Sequence, residues 1–62
     1  MMDRKAYSFV CDDGFATKAF FSEELATIEN LEEYGRKILE GRKKVVQIDI
    51  YEQSQLIGSV GK

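Results

Sequence analysis

Residues 5–21, KAYSFVCDDGFATKAFF, decide the fold. From Lys5 to Cys11 the chain alternates, with Tyr7, Phe9 and Cys11 on one side and Ala6, Ser8 and Val10 on the other, the period of a half-buried strand. Asp12-Asp13-Gly14 reads as a turn, and the length of that turn sets the register. A three-residue loop with Gly14 in the left-handed region pairs Cys11 with Phe15 and brings Phe15, Thr17, Ala19 and Phe21 beside Tyr7 and Phe9. A two-residue turn at Asp13-Gly14 instead sets Lys18 opposite Phe9 on that face. The longer loop is expected, because it collects the aromatic residues on one side.

Downstream, an amphipathic helix is expected to end at Gly41, a strong C-terminal stop. Two N-caps are available: Ser22, followed by Glu23 and Glu24, or Thr27, followed by Ile28 and Glu29. Ile28, Leu31, Tyr34, Ile38 and Leu39 share one helical stripe, and Leu25 lies off its centre, which favours the later start or a kink. Gly35 falls inside the stripe. It costs about 1 kcal/mol of helix propensity relative to alanine, and close approach of helix to sheet is the compensation expected there. Glu32 with Arg36 and Glu33 with Lys37 are favourably spaced pairs.

Lys44 to Tyr51 alternate again, with Val46, Ile48 and Ile50 on one face and Val45, Gln47, Asp49 and Tyr51 on the other. Leu56 to Val60 form a shorter apolar segment after a glycine-free connection, so the register of this second hairpin stays open, as does the strand order. The whole reads as a single α+β domain spanning 1–62. Its order is β-β-α-β-β, a four-stranded, mainly antiparallel sheet with one helix packed on one face. The helix is expected to cover Tyr7, Phe9, Phe15, Phe21, Val46, Ile48 and Ile50. The opposite face is left open.

Sixty-two residues bury only about 60% of their extended surface, so the stability margin is thin and association would widen it. With 44% hydrophobic and 32% charged residues the chain lies far from the composition of disorder. A net charge of −2 gives no overall attraction to nucleic acid or anionic membrane. No stretch approaches the roughly 20 apolar residues that span a bilayer. The polar start Met1-Met2-Asp3-Arg4-Lys5 has no apolar run behind it, and one cysteine cannot form an internal disulfide, so a cytoplasmic setting is expected.

Few residues here carry chemistry. There is no histidine, tryptophan or proline. Cys11 is flanked by Asp12 and Asp13, which favour the neutral thiol, and no base is available to activate it. Those two aspartates supply too few oxygens for a calcium loop and are explained by turn chemistry. Glu23-Glu24 and Glu32-Glu33 are adjacent on a helix and do not face each other. No phosphate-binding glycine loop, paired-cysteine motif or nucleophile elbow is present. No enzyme activity, cofactor or metal is therefore expected.

What remains is surface. By the alternation above, the open sheet face displays Val10, Lys18, Phe20, Val45, Gln47, Asp49 and Tyr51, with Phe20 and Tyr51 as anchors, a composition resembling an interface. Unpaired sheet edges offer a second route to association, with Lys5 and Lys18 guarding one edge. The expected function is that of a small protein-interaction module, an adaptor, inhibitor or regulator, binding another protein or a second copy of itself. In size and architecture alone the chain resembles the short accessory proteins of bacteria and their mobile elements. The competing reading is a weak nucleic-acid contact through Arg36, Lys37, Arg42, Lys43 and Lys44 near the helix C-terminus, although the helix dipole favours basic residues there on any helix.

Overall fold

The alternation of the first segment becomes strand β1 (Arg4–Cys11), in which Tyr7, Phe9 and Cys11 are buried while Ser8 and Val10 between them stay half-exposed. The computed structural model describes residues 4–62; Met1–Asp3, part of the polar start noted above, lie outside the described residues. β1 turns back into β2 (Ala16–Ser22) through the expected three-residue loop. Cys11 N–H donates to the Phe15 carbonyl at 2.7 Å, Gly14 N–H donates to the Cys11 carbonyl at 3.0 Å, and Gly14 has φ +97°. Glycine adopts that conformation at no steric cost. Tyr7 faces Ala19 and Phe9 faces Thr17, so the aromatic residues share a face as the register argument requires.

Helix α1 (Ile28–Gly41) starts at the later of the two caps. Thr27 has extended backbone, and its hydroxyl accepts from the Asn30 N–H at 3.2 Å. Ser22 instead ends β2 and closes a turn, its carbonyl accepting from the Leu25 N–H at 3.0 Å. The helix stops where expected but not by the expected device. Gly41 is its last residue and is not left-handed, and the chain leaves through Arg42 in an extended conformation, φ −124°. The Lys62 ammonium donates to the Arg42 and Lys43 carbonyls at 3.3 and 3.0 Å, placing a cation at the negative end of the helix. Of the two spaced ion pairs, Glu32–Arg36 forms at 3.8 Å, and among the described residues Glu33 and Lys37 make none.

Two further strands, β3 (Gln47–Glu52) and β4 (Gln55–Gly61), complete an antiparallel sheet of order β2-β1-β3-β4. β3 starts later than its alternation predicts, and this corrects two placements. Val45 is fully buried and Val46 is 57% exposed, the reverse of the faces read from the sequence. The cause is a turn before the strand: Val45 N–H donates to the Arg42 carbonyl at 3.1 Å, and Val46 N–H donates to the Asp12 carboxylate at 3.3 Å. Period-2 alternation holds only within a strand, so it begins at Gln47. β4 is longer than expected and carries a bulge. Ile50 pairs with Gly58 but Tyr51 pairs with Leu56, leaving Ile57 extra and turning Leu56 to the face of Tyr51. The connecting loop is Gln53-Ser54, with Gln53 at φ +58°.

The core lies between α1 and one face of the sheet. Phe9, Leu31, Val45, Ile48 and Ile50 are its fully buried centre. Tyr34 stacks tilted on Phe9 with centroids 4.8 Å apart and meets Phe21 edge-on at 5.7 Å, tying the helix to both β1 and β2. Gly35 permits this approach: a Cβ there would lie 3.0 Å from Val60 Cγ2 and 3.8 Å from the Phe9 ring. Phe15, expected in the core, is 40% exposed and lies under the Arg42 guanidinium, 3.9 Å from ring centroid to Cζ. Lys5 sits on β1, an interior strand, and so guards no edge; Lys18 on β2 does. No helix among the described residues is long and apolar enough to cross a membrane.

Candidate protein interface on the open sheet face

Because α1 covers one face, the residues alternating with the core on each strand are left facing outward. The strand registers arrange them in rows. Lys18, Ser8, Tyr51 and Leu56 form one row across β2, β1, β3 and β4. Ala16, Val10, Asp49 and Ser59 form the next, and Phe20 stands beside Ala6 at the other end. Ser8 on β1 is thus flanked by the larger Lys18 and Tyr51, while Phe20 stands on edge strand β2 and Leu56 on edge strand β4.

Exposure on this face is uneven. Phe20 is 64% and Leu56 54% exposed, whereas Val10, Asp49 and Tyr51 are half-buried and Lys18 and Gln47 are exposed. Gln47 Nε2 donates to Asp49 Oδ1 at 3.0 Å, so both are partly occupied with each other. Six of the seven residues read from the sequence lie on this face: Val10, Lys18, Phe20, Gln47, Asp49 and Tyr51. Val45 does not, being buried under the helix. Leu56 was missed. The only signal for it is the bulge at Ile57, which exchanges the faces of the residues before it.

The basic cluster is less available than the sequence suggests. Arg42 Nη2 lies 3.4 Å from Asp13 Oδ2, with its guanidinium on the Phe15 ring, while its Nε is buried without a hydrogen-bond partner. Arg36 is paired with Glu32, leaving Lys37, Lys43 and Lys44 as exposed cations without such a partner among the described residues. Lys43 and Lys44 border an open hollow of about 260 Å³ together with Asp13, Gly41, Arg42 and Val45. An aspartate in the wall weakens it as a phosphate site.

Asp12 and Asp13 do more than turn the chain. Asp12 accepts from the Val46 N–H, and Asp13 accepts from the Phe15 N–H at 3.0 Å while pairing with Arg42, so the first hairpin is latched to the segment that leaves the helix. The Phe15 N–H, with Arg42 adding to it, holds the Asp13 carboxyl below the usual aspartate range. Burial pushes the Cys11 thiol up, and Asp13 adds to the effect, so both favour the neutral thiol of this buried side chain over the thiolate. Among the described residues no group of His, Cys, Asp and Glu is arranged to hold a metal ion.

No known protein family, no curated protein and no solved structure matches the chain.

Proposed function

We propose that this protein is a small, non-enzymatic interaction module that binds a protein partner on its open sheet face, with Phe20, Tyr51 and Leu56 as anchors. One observation carries the reading: two large apolar side chains, Phe20 at 64% and Leu56 at 54% exposure, stand on the uncovered face, one on each edge strand. Buried in a well-fitted partner, such side chains each contribute about 1.5–3 kcal/mol. Aromatic anchors at the centre of an interface commonly dominate its energy. The flanking Lys18, Gln47 and Asp49 supply the polar rim that specific protein interfaces carry.

Nucleic-acid binding through Lys37, Lys43 and Lys44 is the second reading, and it is weaker because Arg36 and Arg42 are engaged within the chain. A photo-crosslinking phenylalanine analogue at position 20 separates the two. The interface reading expects a discrete protein adduct from position 20 and none from a control analogue at Lys37. Adducts from Lys37 alone, removed by nuclease, overturn it.

A further inference from the structure

Among the described residues strand β4 is a free edge, guarded only by the bulge at Ile57 near its start. From Gln55 to Gly61 it carries no charge and no proline, whereas the other edge strand, β2, carries Lys18. Natural sheets block such edges, because a row of unpaired N–H and C=O groups recruits another strand. The hydrogen-bond phase fixes which groups are free. Lys62 N–H donates to the Val46 carbonyl, so residues 60 and 58, which alternate with it along the same ladder, also face β3. Ser59 and Gly61 therefore point their N–H and C=O groups away from the sheet. Only the part before Ile57 is distorted by the bulge.

The helix above adds a second, independent feature. α1 lies over β3 and β4, with Gly35 against Val60 and Tyr34 turned toward Phe9 and Phe21. At about 100° per residue, Glu32 and Arg36 fall on the flank opposite Tyr34, overhanging the free edge. They lie on either side of the level of Val60, one acidic and one basic.

We propose that β4 pairs antiparallel with β4 of a second copy about a two-fold axis at Val60, joining the two sheets edge to edge. Ser59 then pairs with Gly61 of the second copy and Gly61 with its Ser59. Each such pair exchanges two N–H···O bonds, about four in all. The two helices run antiparallel across the axis, about two strand spacings or ~10 Å apart, the distance at which helices pack. Glu32 and Arg36, 3.8 Å apart within each helix, then face Arg36 and Glu32 of the other, joining the two pairs into one network of alternating charge, so the surface is self-complementary in charge as a two-fold interface requires. This surface is separate from the open face and does not depend on what that face binds.

The test is sedimentation and amide hydrogen exchange on the full chain from about 10 µM to about 1 mM, the range proper to a small transient interface. The expected result is a monomer–dimer equilibrium in which the Ser59 and Gly61 amides slow by about tenfold or more as the dimer fills. Ser59→Pro removes an outward donor without cutting the β3–β4 ladder and is expected to give monomer. Glu32→Arg is expected to do the same by setting like charges face to face, and Glu32→Arg with Arg36→Glu is expected to restore the dimer without touching the strand. A monomer throughout the series overturns the proposal, as does a dimer indifferent to both single variants or a double variant no better than Glu32→Arg. Phe20→Asp leaves this dimer intact, so the edge and the open face fail separately.

Discussion

Gly35 is where the energetics of single residues are most sharply opposed. Alanine there gains about 1 kcal/mol of helix propensity, but its Cβ meets Val60 Cγ2 at 3.0 Å in a packed core, and overpacking costs about 1–3 kcal/mol. Crowding wins, and Gly35→Ala is expected to lower unfolding free energy by about 1 kcal/mol in urea titration; a gain in stability would mean that helix and sheet do not approach this closely. Asp13 offers a test by pH. Its carboxyl is held below the ordinary range by the Phe15 N–H and by Arg42, so its contribution is present above about pH 3.9, the unfolded value, and is lost as pH falls through the lower folded value. Asp13→Asn is expected to lower the urea midpoint at pH 7, with the gap to the natural chain closing below about pH 4. A gap that does not narrow as pH falls below about 4 contradicts the latch.

For the elements, the caps give the clearest expectation. Thr27→Ala removes the acceptor of the Asn30 N–H and is expected to cost about 1 kcal/mol, whereas Ser22→Ala, outside the helix, costs less than about 0.5 kcal/mol; equal losses in thermal unfolding would place the helix start wrongly. The first hairpin was legible from residues 5–21 because alternation, turn chemistry and Gly14 all point to one register. The helix start was legible from the position of Leu25, which is 58% exposed and lies before the helix. Val45 and Val46 were misplaced because nothing local distinguishes a strand from a turn that precedes it. The deciding contact is Asp12, 34 residues away in sequence. The Ile57 bulge was invisible for the same reason, since it is set by pairing with Ile50 and Tyr51 on another strand. Leu56, the apolar residue missing from the site reading, follows directly from that bulge.

At the scale of the whole molecule, one helix on a four-stranded sheet leaves one face and two edges uncovered. In a chain of 62 residues the core is small, and a domain of this size gains proportionally more from association than a larger one does. The apolar side chains left on the open face stabilise the free protein little, so their replacement by charge is expected to leave folding intact and remove binding. The measurement that tests this most directly is affinity capture from lysate, with nuclease, of three forms verified as folded: the natural chain, Phe20→Asp with Leu56→Asp, and Lys37, Lys43 and Lys44 each changed to Glu. The expected result is a nuclease-resistant, stoichiometric protein partner on the first and third forms and its loss from the second. Retention of that partner by Phe20→Asp with Leu56→Asp, or capture that disappears with nuclease and with the lysine changes alone, would contradict it.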